Sequence, residues 1–235
     1  MNLLVTVCAR GGSKGIPGKN IKEIAGKPLI AYTADIALRF ARKQHADIAF
    51  STDSQHILKI GATYGLPSDY LRPEPLGNDT IGKPHVIKDL MLFYEEKNKK
   101  TYDYVIDLDV TSPLRTEADI EECLKIAFNN PDVLTVFSVS PCHRNPYFNM
   151  VEEKENGFFS LVKHSEATTR QGSPTVYDIN GSIYVYAREA LMCDNPRAVT
   201  SRTLVYPMTH ICFDLDEPED YEYMSFLITQ RKITL

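Results

Sequence analysis

Residues Leu3 to Asn20 read LLVTVCARGGSKGIPGKN, an apolar run followed at once by four glycines and three cations. A continuous apolar run bounded by glycines predicts a buried strand of a parallel sheet. Behind it, Gly11, Gly12, Gly15 and Gly18 let the backbone bend tightly and turn its N–H groups toward a ligand. Arg10, Lys14 and Lys19 add positive charge. Backbone donors plus cations after a first strand suit a polyphosphate; the same residues also suit a plain turn with solvated lysines. A Walker A loop would need glycine at Ser13 and Ser or Thr at Asn20, and no G-x-G-x-x-G dinucleotide fingerprint can be placed.

The second candidate is Asp214-Leu215-Asp216. Placed at a strand end after Ile211-Cys212-Phe213, the two aspartates share one face. Two carboxylates held together repel, so a cation or proton belongs between them, and magnesium shared with substrate phosphates is the natural one. The alternative is capping, with Asp216 and Glu217 favouring the start of a last helix.

These residues need a scaffold, and the chain supplies an α/β one. The 235 residues are 43% hydrophobic and 24% charged, enough for one sizeable domain. Helical spacing covers Pro28 to Lys43, Gln55 to Tyr64, His85 to Lys97, Glu117 to Phe128 and Pro218 to Gln230. Strands are expected at Asp47 to Phe50, Tyr104 to Leu108, Val133 to Val139 and Asn180 to Tyr186. This alternation predicts a mostly parallel sheet flanked by helices. Asp53 or Ser54 can cap the second helix, and Thr111 or Ser112 the fourth. Asp69 to Lys83 is a long Pro/Gly/Asn-rich loop. Pro141 to Gln171 breaks the pattern, with an antiparallel strand at Phe158 to Val162 and aromatics at Tyr147, Phe148, Phe158 and Phe159; it suits an oligomer interface or a lid, with a monomeric flap as the alternative. No second domain separates from residues 1–235.

Net charge of −5 argues against nucleic acid or an anionic membrane as a partner. Five scattered cysteines and six histidines show no zinc spacing or disulfide framework, and no basic leader or membrane-length apolar run appears. The expectation is a cytoplasmic protein.

Taken together, these stretches resemble the acylneuraminate cytidylyltransferases, which make CMP-activated sialic acids and their bacterial relatives. The resemblance runs nearly end to end: A-R-G-G-S-K-G-I-P-G-K-N at 9–20, S-T-D at 51–53, L-R-P at 71–73, D-T at 79–80, T-S-P-L-R at 111–115, R-Q at 170–171, N-G at 180–181 and D-L-D at 214–216. It implies a Rossmann-like fold with an inserted β-rich dimerisation excursion, here 141–171, that reaches the partner's site in a homodimer. It also implies that Arg10, Gly12, Ser13, Lys14, Lys19 and Asn20 hold the CTP phosphates and ribose. Arg72 and the stretch Asn78, Thr80, Ile81 and Lys83 would serve the base. Asp109, Thr111, Ser112, Arg170, Gln171 and Asn180 would line the sugar site, and Asp214 and Asp216 would hold Mg2+. Arg10, Lys19 and Asp216 would be the catalytic groups for attack of the sugar's anomeric hydroxyl on the α-phosphorus, expelling pyrophosphate.

Three departures set this chain apart from many sialate enzymes. Leu108-Asp109-Val110-Thr111-Ser112-Pro113 stands where those have L-Q-P-T-S-P, Lys83 replaces a serine of the base-reading loop, and Phe148 replaces a lysine associated with the sugar carboxylate. The pattern is closer to the legionaminate or pseudaminate branch. The expected acceptor is a nine-carbon 2-keto acid sugar; another sugar acid such as Kdo, or a non-catalytic nucleotide-binding module, is the alternative.

Overall fold

The computed structural model describes residues 1–13, 15–78 and 80–233. The chain runs β1 (Leu3–Cys8), β2 (Glu23–Ile24), β3 (Lys27–Pro28), α1 (Leu29–Gln44), β4 (Asp47–Ser51), α2 (Gln55–Thr63), α3 (Lys83–Asn98), β5 (Tyr104–Leu108), α4 (Glu117–Asn129), β6 (Thr135–Pro141), β7 (Val151–Glu153), β8 (Phe159–Leu161), β9 (Tyr177–Ala187), α5 (Arg188–Met192), β10 (Thr203–Pro207) and α6 (Pro218–Thr229). Six strands form one sheet in the order β10-β6-β9-β5-β1-β4. β4, β1 and β5 are parallel, as are β6 and β10, while β9 runs antiparallel between the two groups. The fold is thus α/β with a mostly parallel sheet flanked by helices.

The continuous apolar run of β1 has a direct cause: both of its faces are covered. Leu3, Val5 and Val7 join the core beneath α1, α4 and α6, with Leu29, Phe40, Ile120 and Met224. Leu4 joins Val105 and the α3 residues Ile87, Leu90 and Met91 on the opposite face. Alternation along β1 and β5 therefore feeds two cores, the mark of a sheet buried on both sides.

Several boundaries differ from the sequence expectation. Ser54 caps α2, its hydroxyl accepting from Ile57 N at 3.3 Å, while Asp53 is used elsewhere. Thr116, not Thr111 or Ser112, caps α4 in a reciprocal box with Asp119. Ile211–Phe213 is not a strand. Residues 209–216 are irregular, and the preceding strand is Thr203–Pro207 instead. The reason is tertiary: Leu215 is fully buried and its N–H donates to Thr111 O at 3.0 Å, away from any strand partner. In 142–176, β7 and β8 pair antiparallel as a separate two-stranded sheet.

Candidate active site

Because β1, β4 and β5 are parallel, their carboxyl ends lie on one edge, where open α/β sheets bind ligands. Antiparallel β9 brings Asn180–Ser182 to that same edge, and Asp109 N donates to Ser182 O at 3.1 Å. The loop after β1 is folded onto this edge by its own polar groups. Asn20 is buried and its side-chain amide donates to Arg10 O at 2.8 Å, tying the loop's end to its start. Gly11 N donates to Asp53 Oδ1 at 2.7 Å, so Asp53 anchors the loop rather than a helix. Gly18 turns the chain at φ 65°, a left-handed conformation that disfavours side chains. A Cβ on Gly15 would lie 2.1 Å from the carbonyl oxygen of Asp216, so only glycine lets the loop meet the C-terminal segment backbone to backbone. Lys19 completes that junction. Its ammonium donates to Leu215 O and lies 3.2 Å from Asp216 Oδ1.

The cavity floor is made after β5. Arg115 is buried, with Nε donating to Ser182 Oγ at 2.8 Å and Nη2 to the carbonyls of Ser112 and Asp109, which freezes the turn 109–115. Burial pushes its guanidinium down to about 10. Lys83, the first residue of α3, places Nζ 2.6 Å from Oδ2 of both Asp107 and Asp109. Burial lowers the affinity of this lysine for its proton, but Asp107 and Asp109 more than reverse the effect and hold it well above the usual lysine range. Asp109 resists its burial through Lys83 and Thr111 and stays below the usual carboxylate range. Burial, with Asp107 adding to it, lifts the Cys8 thiol to about 12, so it is no nucleophile.

On the opposite wall Arg72 is buried against β4, donating from Nε to Ser51 Oγ and from Nη2 to Ser51 O, both at 2.9 Å. The turn beyond it is organised by one side chain. Asn78 Oδ1 accepts from Thr80 N at 3.0 Å, Thr80 Oγ1 at 2.8 Å and Ile81 N at 3.1 Å. Those N–H groups are spent inside the turn.

Between these walls lies a cavity of about 530 Å³ lined by the cations Arg10, Lys19, Arg72 and Lys83 and by the carboxylates Asp109 and Asp216. Asp214, two residues from Asp216 but not in the cavity lining, is half-buried, and its Oδ1 has no hydrogen-bond partner. Burial and the nearby Asp109 push this carboxyl above the usual range. Gly181, at φ 71°, opens the space beside it, since a Cβ there would lie 3.2 Å from Asp214 Oδ2. Among the described residues no cluster of three or more acidic, His or Cys side chains forms a full metal shell. Two hard carboxylates, one with an unpaired buried oxygen, fit a divalent ion whose remaining ligands are phosphate oxygens and water.

A family model for cytidylyltransferases matches residues 4–233. The chain belongs to the cytidylyltransferase family. It is 37% identical over 232 residues to post-translational flagellin modification protein B of Campylobacter coli, covering 98% of this chain and 97% of that protein. It is 36% identical over 235 residues to CMP-N,N'-diacetyllegionaminic acid synthase of Campylobacter jejuni, covering 99% and 97%. In fold it is similar to the CMP:2-keto-3-deoxy-manno-octonic acid synthetase complexed with CTP, with a TM-score of 0.72 at 19% identity over 98% of this chain and 100% of that one.

Of the site residues expected of this cytidylyltransferase, Arg10, Ser13, Lys19, Asn20, Arg72, Asn78, Ile81, Lys83, Asp109, Thr111 and Asp216 line the cavity together. Gly12 is exposed in the loop with open space around it, and Thr80 is exposed on the Asn78 turn. Lys14 lies outside the described residues. Ser112 and Asn180 lie beneath the floor: the Ser112 hydroxyl donates to Asn180 O at 2.7 Å, and Asn180 Nδ2 reaches Ser140 Oγ at 3.1 Å. Arg170 and Gln171 sit exposed in the excursion, with Arg170 Nη2 donating to Cys142 O at 2.9 Å. Asp107 and Ser182 were not singled out by the sequence, while Asp53 was read as a helix cap and Arg115 only as part of the T-S-P-L-R motif, neither with a role in the site. A carboxylate inside Y-V-I-D-L was the available signal for Asp107.

Proposed function

We infer that this enzyme transfers CMP from CTP to the anomeric hydroxyl of a nine-carbon 2-keto acid sugar of the sialic, legionaminic or pseudaminic acid type. The hydroxyl oxygen bonds to the α-phosphorus, the bond from that phosphorus to the bridging oxygen breaks, and pyrophosphate leaves while the hydroxyl gives up its proton. The observation that carries the reading is the meeting of the glycine loop with the Asp214–Asp216 segment through Lys19. Lys19 and Asp216 both line the cavity of about 530 Å³, and Asp214 lies two residues from Asp216, which supports the reading in a chain of this family. Arg10, Ser13, Lys19 and Asn20, with Gly12 and Lys14 of the same loop, would receive the triphosphate. Lys19 offsets charge as it moves onto the departing oxygens, and such positioning and neutralisation are most of the catalysis in phosphoryl transfer. Asp214 and Asp216 would hold magnesium, which when bound supplies charge neutralisation at the phosphates.

The base would lie against Arg72 and the Asn78–Ile81 turn. Thr80 N and Ile81 N are spent on Asn78 Oδ1 and are not free to donate to a base, and the turn's carbonyl acceptors would pair with the amino group of cytosine and repel O4 of uracil. Asp109 and Thr111 would face the acceptor, with Arg170 and Gln171 arriving from the excursion of a second copy. Exposed Val151, Phe158, Phe159 and Ile179 support such a homodimer, and five free cysteines support a cytoplasmic setting.

The deciding experiment is pyrophosphate release with magnesium and CTP or UTP. The acceptors are N-acetylneuraminic, N,N'-diacetyllegionaminic and pseudaminic acids and 2-keto-3-deoxy-manno-octonic acid. Turnover is expected with CTP and a nine-carbon acceptor, and UTP should be poorer by roughly two orders of magnitude or more. Equal use of CTP and UTP, or no turnover with any acceptor, would remove this reading.

A further inference from the structure

Lys83 stands where helix electrostatics disfavour a cation. It opens α3, whose first turn holds no acidic residue, and the positive end of a helix dipole repels an ammonium. Its side chain nonetheless reaches across to β5, where Nζ lies 2.6 Å from Asp107 Oδ2 and 2.6 Å from Asp109 Oδ2. Asp107 is itself anomalous. It is 0% exposed on a strand otherwise apolar at Val105, Ile106 and Leu108. Its Oδ1 accepts from Thr6 Oγ1 at 2.8 Å, and the ammonium is the only group holding Oδ2 among the described residues. A carboxylate at this depth is costly, and apolar residues of similar volume would stabilise the sheet at least as well. The fold alone therefore does not account for the pair.

The consequence of the pair appears at Asp109. Thr111 holds one oxygen of that carboxylate, donating to Oδ1 from N at 3.0 Å and from Oγ1 at 2.9 Å. Lys83 holds the other. Asp107 in turn keeps the ammonium on the floor, so Lys83 cannot swing out to follow a phosphate. Both oxygens of Asp109 are fixed, and the lysine cancels its charge where an anionic acceptor must approach.

We propose that Asp107 and Lys83 are positioning residues that lock the Asp109 carboxylate in one orientation, so that it accepts a hydrogen bond from a hydroxyl or amide N–H of the sugar acid without repelling the sugar's own carboxylate. The proposal rests on the cytidylyltransferase reading above and moves Lys83 from the nucleotide side of the cavity to the acceptor side. It makes the cluster a determinant of acceptor affinity and leaves CTP affinity to the glycine loop and Arg72.

The test is the double variant Asp107→Asn with Lys83→Met, which removes one anion and one cation and leaves the cluster's net charge unchanged. Its KM for N,N'-diacetyllegionaminic acid at saturating CTP should rise at least tenfold. Its Kd for CTP, read by calorimetry without acceptor, should stay within twofold of wild type. A raised CTP Kd with an unchanged acceptor KM returns Lys83 to the nucleotide and overturns the proposal, as does no change in either. If the double variant fails to melt cooperatively, Lys83→Arg decides: it keeps the charge but not the compact ammonium geometry, and it must raise the acceptor KM while sparing CTP. Wild-type turnover is measured first. An inactive wild type removes the underlying reading, whereas an active one with an unmoved acceptor KM removes this inference alone.

Discussion

The junction of loop 9–20 with segment 209–217 and the excursion 142–176 are built on opposite plans. In the junction, charged and backbone groups already have partners in one another: Lys19 with Leu215 O and Asp216, Gly11 N with Asp53, and Asn20 with Arg10 O. In the excursion, β7 and β8 pair only with each other and leave Phe158 74% and Phe159 65% exposed. Ligand binding at the junction would thus be an exchange of partners within a preformed frame. The excursion instead carries apolar surface that this protomer does not cover. The proposed catalytic charge and the proposed assembly surface therefore lie on separate segments, and each can be altered without the other.

Breaking the junction should have the largest effect. Lys19→Ala removes the cation proposed to face the triphosphate and also a tie to Leu215, so kcat/KM should fall by roughly 30- to 1,000-fold, about 2–4 kcal/mol of electrostatic stabilisation. Steady-state pyrophosphate release measures it, with a melt to show that the fold persists. Kinetics close to wild type would make Lys19 a strut between two segments and no more.

The acidic side of the junction comes next. Asp214→Asn and Asp216→Asn each keep size and hydrogen-bonding capacity while removing one anion. Both variants should lose most activity and need more magnesium for half-maximal rate. Without metal, Asp214→Asn should melt at or above the wild-type temperature, because a buried carboxylate oxygen without a partner is replaced by a neutral amide. Caps would tolerate Asn, which caps about as well as Asp. A magnesium titration unchanged in both variants would strike out the metal role.

The excursion should respond in the opposite sense. Phe158→Ser with Phe159→Ser touches no cavity residue, yet it should shift a homodimer toward monomer in sedimentation. Activity should fall at low protein concentration, where the partner's Arg170 and Gln171 are lost, and recover at high concentration. A wild-type monomer with full activity at assay concentration would detach the excursion from the site altogether.

Legibility in the sequence follows the same division. β1, the glycine loop and the first-turn Pro218 of α6 could be read because local rules and tertiary packing agree there. The irregular run before Asp214 could not, because its short apolar run Ile211–Phe213 imitates a strand while Leu215 N bonds Thr111 O across the fold. Asp107 was hidden by its apolar neighbours, since periodicity says only that the strand is buried. What makes a buried carboxylate tolerable is Lys83, 24 residues earlier and on another element. Ser112 and Asn180 show the reverse case. Polar residues in suggestive motifs are consumed beneath the floor as hydrogen-bonding struts.

The smallest predicted effect asks whether segment 209–216 is held by charge or only by burial. His210 Nε2 lies 2.9 Å from Asp119 Oδ2 at the start of α4, and Tyr206 OH donates to Asp119 Oδ1 at 3.0 Å. Burial lowers the histidine, but its bonds to Asp119 and to Ile211 O more than reverse that and raise it above its ordinary 6.5. Burial raises Asp119, and bonds from Thr116 and His210 more than reverse it, taking it below its ordinary 3.8. A raised histidine contributes its full stability below its unfolded value and loses it as pH climbs through the folded one. A lowered aspartate contributes above its unfolded value and loses it as pH falls through the folded one. The pair is therefore at full strength between about pH 4 and 6.5. His210→Gln should lower the melting temperature more at pH 6 than at pH 8. With His210 37% exposed, the pair contributes about 0.2–1 kcal/mol, or roughly 1–3 °C in a chain this long. Thermal melts of both proteins at the two pH values decide it. An equal gap at both would leave Leu215 and the glycine loop to hold the segment without help from charge on His210.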